Sequence, residues 1–146
     1  MSKEAQKGAT YEQDVVDDMR SALCDSRIER RAKNGRNDRG DIAGVFFKGK
    51  RVVLEVKNCK QMRLSEWLKE AEIEKGNDDA EFCAVVHHRK GCGRKKTGES
   101  YVTMTLRTFE AMIAGSHDLL YRVPALFGNS ESASDAYEYL GIDEDG

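Results

Sequence analysis

Residues 40–57 read GDIAGVFFKGKRVVLEVK, and this stretch decides the fold. Apolar runs rich in Val, Ile and Phe lie on either side of Lys48-Gly49-Lys50, a pattern typical of two strands joined by a short loop with a glycine. We therefore predict strands over 41–47 and 51–58, paired as an antiparallel hairpin.

The loop assignment determines which residues face each other across this hairpin. With 48–50 as the loop, Asp41 lies opposite Lys57, and Ala43 lies opposite Glu55. Paired side chains share one face of a sheet and alternate residues return to it, so Asp41, Glu55 and Lys57 project from the same side. A slip of one residue would move Asp41 to the other face.

These three ionisable groups suit metal-assisted chemistry. Charge beside a strand as apolar as residues 52–54 is costly unless it is paired or holds a cation. Two carboxylates are good ligands for Mg²⁺ or Mn²⁺, and a neighbouring lysine can stabilise negative charge or orient an attacking water. The plainer interpretation is a cross-strand salt bridge of Asp41 or Glu55 with Lys57.

A helix over 11–23 is predicted before the hairpin, after a flexible lead of residues 1–9. Thr10 and Gln13 have the spacing of a capping box at its start. Glu12 falls on the inward stripe of this helix, in line with Val16, Met19 and Leu23. It is therefore either a site carboxylate or a first-turn glutamate favoured by the helix dipole.

The elements after the hairpin are also predicted, from hydrophobic periodicity and from residues typical of helix starts and ends. A helix over 65–75 has Ser65 as its cap and Gly76 as its stop, and Trp67 is its core or interface anchor. Strands over 82–88 and 101–106, the basic loop 89–98 and a helix over 108–115 capped by Thr108 complete the order. Strands and helices in this order predict an α/β domain with a central mixed sheet flanked by helices.

Two basic, glycine-containing loops supply candidate phosphate contacts. Arginine, lysine and backbone amides bind phosphate, and glycine allows close approach of the backbone. The alternative is a pair of solvated loops. The candidate DNA-binding residues are Arg30, Arg31, Lys33, Arg36, Arg39, Arg89, Lys90, Arg94, Lys95 and Lys96.

Composition limits the class of protein. With 146 residues, 39% of them hydrophobic, the chain fits one compact domain, which we place at 1–127. Residues 128–146 hold six of the 26 acidic side chains and none of the 24 basic ones, so we predict an acidic, flexible tail behind a mildly basic body.

The predicted environment is cytoplasmic and reducing. No apolar run is long enough for a membrane span or a signal peptide, and the four cysteines form no CxxC pair. Zinc bound by Cys92, His87 and His88 is disfavoured because adjacent histidines point to opposite faces of a strand.

The order of these elements resembles the PD-(D/E)XK nuclease superfamily. The resemblance is carried by a helix with an inward Glu12, Gly40-Asp41-Ile42 on a strand, and Glu55-Val56-Lys57 on a hydrophobic strand followed by a helix and a strand. It covers about residues 8–88. Within the superfamily, the chain most resembles archaeal and phage Holliday junction resolvases.

The resemblance implies a restriction-endonuclease-like core and specific residue roles. Asp41 and Glu55 would be metal ligands together with the Val56 carbonyl, Lys57 would be the catalytic lysine, and Glu12 an accessory carboxylate. The proline that usually precedes the aspartate is absent here, which weakens the motif match more than the mechanism.

The resulting hypothesis is a Mg²⁺- or Mn²⁺-dependent endodeoxyribonuclease that resolves branched DNA, encoded by a cell or a phage. A restriction-type or linear-end nuclease is the first alternative, and a catalytically silent nucleic-acid-binding module the second. Because a four-way junction needs two symmetric nicks, we expect a homodimer. Candidate contacts lie in the 65–75 helix or in residues 119–127.

Overall fold

The computed structural model describes residues 2–33, 35–115 and 117–120 of the chain. It divides into two compact units, residues 1–105 and 106–146. The predicted acidic tail 128–146, the domain boundary before it and most of the apolar segment 119–127 lie outside the described residues.

The first unit is an α/β structure built on a mixed six-stranded sheet, as predicted. Its strands are β1 (Glu29–Arg30), β2 (Ile42–Ala43), β3 (Phe46–Phe47), β4 (Lys50–Lys57), β5 (Phe82–His87) and β6 (Tyr101–Thr103). The main path of the sheet is β1-β2-β4-β5-β6, and β3 pairs with β4 beside β2. Among the strand pairs of the described residues, β4 and β5 are parallel and the other pairs are antiparallel.

Three α-helices are described, α1 (Lys3–Leu23) and α2 (Leu64–Asn77) in the first unit and α3 (Leu106–Ala114) in the second. Short 3-10 turns lie at Gly35–Asn37, Arg94–Glu99 and His117–Leu120. No helix among the described residues has the length and apolar character needed to cross a membrane.

Helix α1 begins eight residues before the predicted start, so the predicted flexible lead and the Thr10 cap are wrong. The Ser2 hydroxyl accepts a hydrogen bond from the Ala5 amide at 3.0 Å and caps the helix there. Lys, Glu, Ala and Gln in the first two turns are good helix formers, and Gly8 interrupts them without ending the helix.

The other helix starts are also corrected. Helix α2 begins at Leu64 after Arg63, whose side chain makes no capping bond, and it continues through Gly76 to Asn77. Ser65 and Thr108 lie inside helices rather than at their caps. Side-chain packing therefore overrides the local start and stop signals, which are weak preferences.

The predicted hairpin loop is wrong by one residue. Phe47 pairs with Lys50, so the loop is Lys48-Gly49, and both residues have positive φ angles of 51° and 78°, as a type I′ turn requires. This shifts the whole pairing by one position relative to the prediction.

A second slip follows, because the predicted strand 41–47 is broken into β2 and β3. The Val52 amide donates to the Val45 carbonyl at 2.9 Å, whereas Ile42 already pairs with Leu54. Two residues, Ala43 and Gly44, therefore oppose one residue, as in a β-bulge. Two single-residue slips restore the original face of the sheet, although the partners change.

The core between sheet and α2 is apolar. Val53, Cys83 and Val85 of the sheet pack with Trp67 and Ala71 of α2. The predicted role of Trp67 as a core anchor is confirmed, since only 6% of this residue is exposed. All of β5 is buried, as expected for a strand with sheet neighbours on both sides.

Gly40, immediately before β2, lies against β4 so closely that the fold has no space for a side chain. Its φ is +94°, and an added Cβ would lie 2.8 Å from Val53 Cγ1 and 3.1 Å from the Leu54 carbonyl oxygen. We expect Gly40→Ala to destabilise the protein by roughly 1–3 kcal/mol through backbone strain and collision. Urea unfolding followed by circular dichroism measures the change.

Gly76→Ala is the matched control. Gly76 lies inside α2 with nothing within 4 Å of an added Cβ, so the same substitution should stabilise by up to about 1 kcal/mol. Equal stability of both variants would contradict the close approach of Gly40 to β4.

Candidate active site

The β4 strand carries Glu55 and Lys57 on the face that packs against α2. Val53, two residues earlier on the same face, contacts the α2 core, and alternate residues of a strand share a face. Glu55 is 3% exposed, and its Oε1 lies 3.2 Å from the Lys57 ammonium. The plainer sequence interpretation also paired Lys57 with Glu55, but it placed the salt bridge across two strands, whereas both residues lie on β4.

Asp41 lies beside this pair, but opposite a different residue than predicted. Because Ile42 pairs with Leu54, Asp41 is next to Glu55 across the ladder instead of opposite Lys57. Asp41 is buried, and its Oδ2 accepts a hydrogen bond from the Val56 amide at 2.7 Å. The three side chains still project from one face of the sheet, as predicted. The two single-residue slips together shift the pairing by two residues, and a shift of two leaves each side chain on its original face.

Helix α2 adds two carboxylates that the sequence analysis missed. Glu70 Oε2 lies 2.7 Å from the Lys57 ammonium, and Glu74 is buried next to Glu55. Oxygen atoms of Glu55, Glu70 and Glu74 lie within 4.8 Å of one another. Helical spacing could have identified Glu74, since it follows Trp67 by seven residues and Ala71 by three and so lies on the same buried stripe of α2. Glu12 lies on the buried stripe of α1 in the same way.

The buried glutamate pair cannot carry two full charges. Burial raises the pKa of the Glu55 carboxyl well above its usual range, and Glu74 and the charge of Asp41 raise it further. Burial also raises the pKa of Glu74. Among the described residues, no donor reaches Oε2 of either side chain, so the pair is suited to sharing a proton or holding a cation.

Lys57 stays protonated in this setting. Burial disfavours its charge, but hydrogen bonds and charge from Glu70 and Glu55 outweigh that effect and raise the pKa of the ammonium above its usual value. A fixed positive charge therefore stands beside the buried carboxylates.

Glu12 enters from α1 and is held by two cations. Its Oε2 accepts a hydrogen bond from Arg30 Nη2 at 2.9 Å, and its Oε1 lies 3.9 Å from the Lys33 ammonium. Lys33 also lies 3.6 Å from Asp41 Oδ1 and so links the two carboxylates. Because α1 begins at Lys3, Glu12 is far from the first turn, and the helix-dipole interpretation is wrong.

An open cleft of about 670 Å³ gives access to this centre. Its wall includes Glu12, Glu55, Lys57, Arg30 and Lys33. Val56 also lines it, whereas the predicted use of the Val56 carbonyl as a ligand stays a prediction. The predicted lysine and four of the predicted acidic and basic residues, Glu12, Glu55, Arg30 and Lys33, are thus brought to one cavity.

Lys7 and Lys60 line the same cleft and were not predicted. Lys7 lies on the N-terminal extension of α1 that was predicted to be flexible, so its position was hidden by the wrong helix start. Lys60 follows β4 in a segment without periodicity. Neither residue carries a local signal of function.

The remaining predicted DNA-binding residues are dispersed. Arg31 is 3.0 Å from the buried Asp78, and Arg94 is 2.9 Å from Asp14, so both have structural partners. Arg89 and Lys90 line a neighbouring cleft. Within the described part of the chain, the side chains without a partner among the predicted set are Arg36, Arg39, Lys90, Lys95 and Lys96.

His87 and His88 both have hydrogen-bond partners. His87 is buried and its Nε2 lies 2.8 Å from Thr103 Oγ1, and burial lowers the pKa of its imidazole. His88 Nε2 lies 2.7 Å from the Cys92 carbonyl oxygen, so these three residues offer no common metal geometry. The opposite orientation of the two histidines agrees with the strand pattern.

The donor set at Glu55, Glu70 and Glu74 fits a hard divalent cation. Carboxylate oxygens are the preferred ligands of Mg²⁺ and Mn²⁺, and an orphaned buried oxygen gains a partner when a cation binds. Asp41 lies outside this cluster of three, with one oxygen already bonded to the Val56 amide.

No protein-family model, curated protein or solved structure matches this chain.

The raised pKa of Glu55 predicts how the stability of the metal-free protein depends on pH. The folded state holds a proton on the Glu55–Glu74 pair that the unfolded chain releases above its ordinary carboxyl pKa of 4.5. The free energy of unfolding in EDTA should therefore fall as the pH rises from about 4.5 towards the raised pKa of the folded protein. Thermal melts at a series of pH values measure it.

Glu55→Gln supplies the test of that assignment. An uncharged amide removes the titration, so the variant should show a flatter pH dependence of Tm than the parent in the same buffers. Glu72→Gln, an exposed change on α2, is the control and should retain the parental slope. Parallel slopes for all three proteins would contradict the buried proton.

Proposed function

We propose that this protein is a metal-dependent endodeoxyribonuclease of the PD-(D/E)XK type. The observation that carries the proposal is a group of buried carboxylates with orphaned oxygens, next to a charged lysine, at a cleft lined by cations. Phosphodiester DNA is the polyanion that such a cleft suits, since cations bind the backbone and hard carboxylates hold a divalent ion.

The cation would be held by Glu55 with Glu70 and Glu74, and Asp41 would complete the negative charge around it. When bound, Mg²⁺ or Mn²⁺ supplies Lewis-acid polarisation of a phosphoryl oxygen and a more acidic water. Binding would displace the proton shared by the glutamate pair, because a cation and that proton compete for the same oxygens.

Lys57 and its neighbours would orient the reacting phosphate. In hydrolysis a water oxygen bonds to phosphorus, one ester P–O bond breaks, and a proton passes to the departing oxygen. The Lys57 ammonium stabilises negative charge on the phosphate, and Glu70 fixes the position of that ammonium through the 2.7 Å contact. Arg30 and Lys33, held by Glu12, would neutralise the adjacent backbone.

Branched DNA, and in particular the four-way junction, remains the proposed substrate because of the resemblance to junction resolvases. A restriction-type or linear-end nuclease shares the same centre and is separated from this proposal only by the substrate.

A homodimer would supply the paired nicks. Light scattering at micromolar concentration, with and without junction DNA, tests it, and a monomeric mass in both states contradicts it.

A silent DNA-binding module is the second candidate, and one observation favours it. Lys57 contacts both Glu55 and Glu70, so these groups form a salt-bridge network that needs no cation. Such a module would bind DNA but would cleave no substrate when Mg²⁺ or Mn²⁺ is added.

Cleavage assays on linear, flapped, forked and four-way DNA with Mg²⁺ or Mn²⁺ distinguish the candidates. We expect Glu55→Gln and Lys57→Met to lose at least about 100-fold in cleavage rate, because one removes a ligand charge and the other the positive charge at the phosphate. Glu72→Gln and Lys48→Gln are matched controls at exposed positions and should cleave at the parental rate. Cleavage at the parental rate by Glu55→Gln would contradict the assignment of the active site to Glu55.

The cation-lined cleft predicts a salt dependence of DNA binding. Lys60→Gln removes one wall cation, so the slope of log affinity against log salt concentration should fall by about 0.9 on duplex DNA. Lys48→Gln, in the hairpin turn, should leave the slope unchanged. Fluorescence anisotropy in EDTA measures both, and equal slopes for the two variants would place the DNA outside the cleft.

A further inference from the structure

A second cleft adjoins the proposed active site. Its volume is about 600 Å³, within the range of small-ligand pockets. It shares Lys7 and the segment from Lys57 to Lys60 with the cleft at Glu55. A molecule bound with its phosphate beside Lys57 can therefore extend into it.

The walls of this cleft contain a row of ring systems that ends at a guanidinium. The Trp67 and His87 ring centroids are 5.9 Å apart, and those of His87 and Tyr101 are 5.4 Å apart. The Arg89 guanidinium lies 5.7 Å from the centroid of the Tyr101 ring. The row crosses from α2 over β5 to β6.

Two side chains in these walls leave large apolar surfaces open to solvent. Tyr101 is 46% exposed and Met62 is 61% exposed. Trp67 is mostly covered and forms part of the floor, so Tyr101 is the ring available for stacking. Lys60, Arg89 and Lys90 place positive charge around the same space.

A flat apolar ring attached to an anionic backbone matches these walls. Aromatic side chains stack on nucleobases of any sequence, and a guanidinium over the ring adds a cation–π contribution. A base inside a duplex already stacks on its neighbours and cannot enter without unpairing.

We infer that the cleft lined by Trp67, His87 and Tyr101 binds an unpaired nucleotide next to the phosphate held at Lys57. This inference rests on the proposed nuclease function for the position of the phosphate. The preferred substrates are then DNAs with a single strand beside the cut, such as a flap, a fork or a junction with unpaired bases, rather than a fully paired duplex.

The test is binding of the full chain in EDTA, where metal-dependent cleavage is absent. A labelled oligothymidylate of about ten nucleotides and a blunt hairpin duplex of similar length are the two probes, followed by anisotropy. Trp67, the single tryptophan of the chain, provides a second readout in the cleft through its intrinsic fluorescence. We expect the oligothymidylate to quench it saturably and the duplex to leave it largely unchanged.

Tyr101→Ala should weaken oligothymidylate binding about tenfold and change duplex binding little, because it removes the stacking ring. Tyr101→Phe should bind as the parent does, since it keeps the ring. Phe46→Ala removes an exposed aromatic side chain that lines neither cleft and should also bind as the parent does. Thermal melts of each variant establish that the fold is retained.

Equal quenching by duplex and single strand would overturn the inference, as would parental oligothymidylate affinity in Tyr101→Ala. Either result leaves metal-dependent cleavage untouched. Conversely, if no DNA is cleaved but the oligothymidylate binds through Tyr101, the nuclease proposal fails while the nucleotide-binding cleft stands.

Discussion

The burial of Glu55 against α2 is the constraint on which the rest of the site depends. A carboxylate with 3% exposure cannot stay ionised in apolar surroundings without compensation. The fold compensates with the Lys57 ammonium on the same strand, and burial and the neighbouring Glu74 raise the pKa of the Glu55 carboxyl, which favours its protonated form. The Glu70 carboxylate in turn forms an ion pair with the Lys57 ammonium, so the charge of Lys57 is compensated as well.

The same balance connects the two helices to the sheet. Glu12 of α1 needs Arg30 and Lys33, and Lys33 in turn approaches Asp41 beside β4. These contacts place Arg30 and Lys33 in the wall of the cleft, next to Glu12 and Glu55. A group arranged in this way costs folding free energy in the absence of a ligand, and such costs are typical of functional sites.

The β4 ladder explains how a wrong pairing still placed the right residues on one face. The turn at Lys48-Gly49 is one residue shorter than predicted, and the bulge at Ala43-Gly44 adds one residue later. Each slip alone would reverse the face, but together they change only the partner of Asp41. The face from which a side chain projects depends only on whether the register shift is odd or even. Two single-residue errors therefore leave the predicted face correct, although the predicted partner is wrong.

The sequence by itself determined the α/β class, the buried strands at 52–56 and 82–87, and the inward positions of Glu12, Asp41 and Glu55. These follow from periods of two and 3.6 residues, which are local properties of strand and helix. Only the tertiary structure decided that Glu70 and Glu74 join Glu55, that Lys7 and Lys60 line the cleft, and that Tyr101 adjoins Lys57 through a second cavity. Those relations arise from contacts between elements far apart in the chain, and the free energy of packing that sets them has no local signature.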